Sequence, residues 1–204
     1  LVGSFFTFGV AHVARRLSKT FRPLTSARRK KHFVRKIICH TATVNFRNKL
    51  LTAETLPAWR AAQRAAGKKL AVTNGCFDIL HTGHATYLEA ARQTGDALLV
   101  GVNADASVRA NKGPTRPVNC EADRAQLLAA LASVDAVCIF SERTATNFLQ
   151  LAQPDIYVKG GDQNLTTVPA EELKVVEQCG GKVVFAPLVK GKSTTALLEK
   201  ISKL

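Results

Sequence analysis

The chain has no methionine among its 204 residues, one tryptophan and two tyrosines. The missing methionine extends to position 1, so Leu1 is not expected to be a natural initiator. Acids are absent from the first 50 residues, which carry 12 of the 29 Lys/Arg. No apolar run approaches the roughly 18 residues that a membrane span needs, so no membrane partner is expected. The five cysteines (Cys39, Cys76, Cys120, Cys138, Cys179) are scattered, with no CxxC and no Cys/His ligand spacing. That speaks against structural zinc and fits a reducing compartment.

What charge there is sits unevenly. The net +14 suggests nucleic acid at first sight, yet residues 51–204 hold 17 basic and 15 acidic side chains, a net of +2. A near-neutral body argues against a nucleic-acid partner. Residues 1–47 form a basic extension with Phe5, Phe6, Phe8, Phe21 and Phe33 interleaved. It reads as a transit peptide, as an arm for RNA or anionic lipid, or as sequence ahead of a misassigned start. The abrupt change of composition near Asn48 and the absent initiator favour a disordered or artefactual extension. The working domain is then 48–204, expected in the cytoplasm, with an organelle possible only if the extension is real.

From Lys69 onward short apolar runs alternate with amphipathic ones. The pattern predicts strands at 70–74, 97–103, 136–140, 156–159 and 182–186. Helices are predicted at 84–94, 121–131, 144–152, 170–179 and 194–203, after a first one within 52–67. Pro57 suits a first turn begun at Thr55 better than one begun at Thr52. This order means an α/β fold: a doubly wound, Rossmann-like, parallel five-stranded sheet with helices on both faces. Ligands of such sheets bind beyond the carboxyl ends of the strands.

The stretch Thr73-Asn74-Gly75-Cys76-Phe77-Asp78-Ile79-Leu80-His81-Thr82-Gly83-His84 occupies such an end. A strand runs into it and a helix out of it, so backbone N–H groups and a helix dipole favour an anion there. His81 and His84 project to neighbouring positions, and imidazole can donate to phosphate whether neutral or charged. Gly83 allows a phosphate to approach the backbone. A metal pair is the weaker reading, because no third Cys or His ligand lies near. Asp78 either contacts the ligand or closes the turn through backbone N–H groups. Cys76 lacks a partnered base and reads as a small packing residue rather than a nucleophile.

Further candidates fall at the same edge. Lys112 lies in a loop after the second strand, before Gly113-Pro114. Arg116 and Arg124 suit phosphate or an internal carboxylate, and Arg124 can pair with Glu121 on its own helix. Lys159-Gly160-Gly161-Asp162 follows a strand, either as a nucleotide contact or as a tight turn. Ser193-Thr194-Thr195 opens the last helix as an N-cap cluster and, compatibly, an anion site. Lys190 and Lys192 add charge beside it.

These residues together, with GCFDILHTGH at their head, resemble the GxFDxxHxGH signature of the cytidylyltransferase-like nucleotidyltransferases. The segments NADASV, KG, RPVN, VKGGD and STT extend the likeness to the adenylyltransferase domain that makes ADP-heptose from heptose 1-phosphate and ATP. The likeness covers about residues 50–204. It implies direct attack of a sugar phosphate oxygen on the α-phosphorus of ATP, with Mg²⁺ as cofactor and no protein residue as direct metal ligand. It further implies that His81, His84 and Lys112 act on the phosphates in catalysis. Asn74, Gly75, Cys76, Phe77, Asp78 and Gly83 would bind nucleotide, with Lys159, Gly160, Asp162, Ser193, Thr194 and Thr195. Arg116 and Arg124 would hold the substrate phosphate. The family commonly forms dimers, so a homodimer is possible. A cytidylyltransferase for glycerol 3-phosphate or another alcohol phosphate, or a nucleotide-binding regulatory module without turnover, are the competing expectations.

Overall fold

The computed structural model describes residues 45–160, 163–187 and 191–204. The folded unit runs from Asn45 to Leu204. Most of the basic extension, together with Gly161, Asp162 and Lys190, lies outside the described residues.

A 3₁₀ turn at Phe46–Lys49 leads into β1 (Leu50–Leu51) and α1 (Leu56–Ala65). Then follow β2 (Leu70–Gly75), α2 (Thr82–Arg92), β3 (Ala97–Asn103), α3 (Asp105–Lys112) and α4 (Glu121–Ala129). The chain closes with β4 (Ala136–Phe140), α5 (Thr146–Ala152), β5 (Ile156–Gly160), α6 (Ala170–Gln178), β6 (Lys182–Ala186) and α7 (Thr194–Ile201). The strands form one parallel sheet in the order β1-β4-β3-β2-β5-β6.

The five expected strands are all present, and the sheet has a sixth. Leu50 and Leu51 pair with Val137 and Cys138 at the edge beside β4. Two residues carry no readable alternation, so this strand is made by its neighbour rather than by local pattern. Lys49 fixes its approach by donating Nζ to the carbonyls of Leu131 and Val134 just after α4. Asp105–Lys112, expected as a loop, is a helix. Its buried positions are only Ser107 and Val108, which is too narrow a stripe to announce a helix. Helix α2 begins at Thr82, two residues earlier than expected. Helix α1 has Thr55 as its N-cap residue and Pro57 in its first turn, as the proline predicts.

Alternation along the central strands sends side chains to two cores. Leu70, Val72 and Leu99 join Leu56, Phe148 and Val176 on one face. Ala71, Leu98, Val100 and Val102 join Leu88 and Leu128 on the other. Each fully buried leucine or valine contributes about 1.5–3 kcal/mol. Gly101, in the middle of β3, makes room for Phe148, whose ring would lie 2.6 Å from an added Cβ. No helix among the described residues is long and apolar enough to cross a membrane.

Strand β2 lies between β3 and β5, where the chain's progress across the sheet reverses. A crevice opens at such a switch point, outside the carboxyl ends of the strands. The motif residues 75–84 leave β2 at this point.

Candidate active site

A cleft of about 570 Å³ occupies the crevice. Its floor is the end of β2 with the loop to α2, from Asn74 through Gly75, Cys76, Phe77 and Asp78. His81, Gly83 and His84 form one wall, and Ser193, Thr194 and Thr195 at the start of α7 adjoin them with Lys192. Lys112, Arg116, Lys159 and Gly160 complete the expected set around the cleft. Asp162 lies outside the described residues.

Phe77 holds the loop in shape. Its φ of 47° is unusual for a bulky side chain, and its ring is buried in the core beneath α2. Such a conformation costs on the order of 1–3 kcal/mol and persists only where packing enforces it. The same ring meets His84 edge-on at 5.4 Å. His81 in turn stacks on His84, with centroids 3.9 Å apart and planes inclined by 18°. The two Nδ1 atoms are buried without hydrogen-bond partners among the described residues. Burial, and secondarily His81, bring the His84 pKa down to about 4. Burial, then Lys192, lower that of His81. Both rings are therefore neutral near pH 7.

Gly83 has a different duty from the one its place suggested. An added Cβ would lie 2.9 Å from the His81 ring and 3.0 Å from Cβ of Lys192. The glycine makes room for protein neighbours, which brings the start of α2 against the segment leading into α7. Ser193 caps α7 by accepting the N–H of Ala196 at 3.1 Å, so its hydroxyl oxygen is already engaged. Thr194 reaches back weakly to the Ile79 carbonyl, at 3.4 Å. Two helix N-termini thus face one cleft, and their partial positive charges add.

Asp78 takes the turn-closing reading. It is buried, and it accepts from Arg116 Nε at 2.5 Å and from the N–H groups of Val118 and Asn119 at 2.7 and 3.1 Å. Its carboxylate joins the signature loop to residues 116–119. Arg116 keeps a place on the cleft while anchored to Asp78.

Arg124 corrects the expectation of a phosphate ligand. It is fully buried, and it donates to the carbonyls of Asn119, Cys76 and Asn103 and to Asp105 Oδ1. Its ion-pair partner is Asp105 rather than Glu121, whose carboxylate accepts the Asp105 N–H instead. Arg124 ties together the ends of β2 and β3 and the loop before α4. Lys112 is the last residue of α3, not part of a loop, and the turn at Gly113 (φ 98°) ends the helix there. Burial raises the pKa of the Cys76 thiol, so it stays protonated near neutrality. Lys159 is also buried, with Asn74 and Glu172 as partners.

Tyr87, Asn103 and Gln163 line the cleft without having been expected there. Tyr87 hydrogen-bonds with Thr73 and donates to the Val158 carbonyl, and Asn103 donates to Ser107. Gln163 Oε1 is buried without a partner among the described residues. Asn103 opens the NADASV segment of the likeness without having been assigned a site role, and Tyr87 and Gln163 belong to none of the quoted motifs. Among the described residues no group of three or more His, Cys, Asp or Glu could hold an ion. The Asp78 carboxylate is engaged by Arg116 and by the N–H groups of Val118 and Asn119.

Comparison with known proteins agrees with this geometry. Residues 72–197 match the family model described as cytidylyltransferase-like. The bifunctional protein HldE of Trichlorobacter lovleyi is 47% identical over 76% of this chain and 31% of its own length. That of Geotalea uraniireducens is 49% identical over 75% of this chain and 31% of its own. The chain thus spans about a third of these relatives. The crystal structure of a lipopolysaccharide core biosynthesis protein from Thermoplasma volcanium superposes with a TM-score of 0.51 at 31% identity. It covers 62% of this chain and 100% of its own. With the HxGH histidines at the sheet's switch point and a matching family model over most of the folded unit, the chain belongs to the cytidylyltransferase-like family of nucleotidyltransferases.

Proposed function

We propose that the chain transfers AMP from ATP to a heptose 1-phosphate, giving ADP-heptose and pyrophosphate. The observation that carries this reading is the stacked His81–His84 pair, where two helix N-termini meet in a basic cleft. Likeness to HldE and to a lipopolysaccharide core biosynthesis protein supports the sugar phosphate as acceptor.

The acceptor's phosphate oxygen attacks the α-phosphorus. The bond from that phosphorus to the oxygen bridging to the β-phosphate breaks, and pyrophosphate leaves with the electron pair. His81 and His84 donate to phosphate oxygens as their charge shifts in the transition state. Such donors act strongly where water is excluded and their orientation is set in advance. Lys112 and Lys192 neutralise the triphosphate, Arg116 faces the acceptor's phosphate, and the N–H groups opening α2 and α7 bind the triphosphate oxygens. Cys76, a neutral thiol, forms no covalent intermediate. Mg²⁺ bound with the nucleotide would offset charge on its phosphates. The reaction belongs in the cytoplasm, and a homodimer is part of the proposal, readable by light scattering against the 22.0 kDa chain.

Incubation with Mg²⁺, ATP or CTP, and a panel of sugar and polyol phosphates tests this by pyrophosphate release. Release with ATP and heptose 1-phosphate is expected. Release only with CTP and glycerol 3-phosphate would replace the acceptor and the nucleotide. No release with any pair would overturn turnover itself.

A further inference from the structure

The inner end of the cleft holds polar groups that the histidines and helix termini do not explain. Lys159, near the end of β5, is 7% exposed, and Glu172, on α6, is 3% exposed. Lys159 Nζ donates to Asn74 Oδ1 at 2.9 Å and pairs with Glu172 Oε2 at 3.0 Å. The Tyr157 hydroxyl lies 2.6 Å from Asn74 Oδ1 and 2.7 Å from Glu172 Oε2. The other Glu172 oxygen accepts the N–H of Ala145, the residue ahead of α5. The Lys159 ammonium also sits 4.6 Å from the centre of the Tyr157 ring.

Two features set this cluster apart from a simple phosphate-binding lysine. First, a carboxylate at 3.0 Å offsets the charge that such a lysine would offer an anion. Second, an ammonium has donors only, so the Asn74 atom facing it must be the amide oxygen. Tyrosine's single hydrogen lies between two acceptors, which leaves the lysine as the group that holds both. Asn74 is therefore fixed with Oδ1 turned inward. Among the described residues its Nδ2 has no protein partner, and Asn74 lines the cleft beside Gly75 and Cys76.

We propose that Glu172, Lys159 and Tyr157 are positioning residues that orient the Asn74 amide so that its NH₂ group donates to a phosphate oxygen of the bound nucleotide. This rests on the nucleotidyltransferase reading and adds to it. A flexible amide at this place would have to be ordered at the moment of binding. Here the ordering cost is met on folding, by a buried ion pair on elements 85 and 98 residues away from Asn74.

A double-mutant cycle on the full chain tests the coupling, read by calorimetric titration with whichever of MgATP and MgCTP wild type binds more tightly, without acceptor. Asn74→Ala is expected to weaken binding about tenfold, the scale of one lost hydrogen bond to a charged group. Glu172→Gln is expected to weaken it comparably. The double variant Asn74→Ala/Glu172→Gln should bind about as Asn74→Ala alone does, since Glu172 acts through the amide. Multiplying effects, about a hundredfold together, would show an independent structural role and overturn the proposal. Unchanged affinity in Asn74→Ala would do the same. Should Glu172→Gln fail to fold with Lys159 left uncompensated, the neutral pair Lys159→Met/Glu172→Gln replaces it, with the same loss expected. Wild type that binds nucleotide but transfers it to no sugar phosphate sinks the heptose reading and leaves this coupling standing. Wild type that binds neither nucleotide sinks both.

Discussion

A Cβ added to Gly83 would lie 2.9 Å from the ring of His81. One residue therefore sets where the first imidazole stands, and through stacking it sets the second. Gly83→Ala should push the His81 ring aside while leaving the two cores untouched. A displacement near 1 Å can cost about a hundredfold in rate. The expected outcome is a fall of that order in pyrophosphate release, with a change in melting temperature of only a few degrees. Equal loss of activity and of folded protein would contradict it.

His81→Ala and His84→Ala should each reduce kcat by about 10²–10³, the scale of a lost transition-state donor. Folding should suffer less than turnover, because His81 is largely at the surface of the cleft. Steady-state kinetics beside a denaturant titration separates the two effects.

Protonation of His84 gives the stability a pH dependence of defined sign. The native ring titrates at about 4, against an ordinary value of 6.5. Between these values the unfolded chain binds a proton that the native chain does not. Stability is then fully present above about pH 6.5 and falls as pH drops towards 4. His81 acts in the same direction. Guanidinium unfolding at pH 7.5 and pH 5 should show wild type losing more stability than His84→Gln. A bound triphosphate favours the protonated rings, so nucleotide binding near pH 5.5 should take up protons. Calorimetry in two buffers of different ionisation heat reads that uptake directly.

Arg124 is expected to behave as a structural residue. Arg124→Met leaves three carbonyls and Asp105 without their donor, and loss of one partner of a buried ion pair costs about 3–5 kcal/mol. Lysine cannot reproduce the fork of donors, so Arg124→Lys should rescue little. Urea midpoints measure this. A variant with wild-type stability and lost phosphate affinity would restore the direct-contact role.

The architecture was legible because strands buried on both faces are written as unbroken apolar runs, Ala97–Asn103 above all. Residue types at strand ends disclosed most of the cleft, since the histidine pair follows a strand with Gly75, Phe77 and Asp78 ahead of it, and a hydroxyl triplet opening a helix serves as cap and anion site alike. Burial was not legible. Arg124 looked like a ligand because its chemistry suits phosphate, but its partners lie up to 48 residues away in sequence, and the Asn74 partner of Lys159 lies 85 residues away. Glu172 is one of two acids in the first turn of α6, and no local pattern marks it out. Gln163 comes to the cleft through topology alone. The short β1 and the narrowly buried α3 depend on tertiary contacts that no local pattern records.

Because β2 is hydrogen-bonded to β3 on one side and β5 on the other, the cleft is shared between two stretches of chain. Everything up to Gln153 supplies the imidazoles, Lys112 and Arg116, and everything from Pro154 supplies Lys159, Gln163 and the start of α7. Severed between those two residues, neither fragment would carry a working centre. Mixed, the fragments would have the exposed edges of β2 and β5 to find each other, and recovered catalysis would report reassembly of the sheet. The reversal in strand order thus makes this enzyme a natural split reporter.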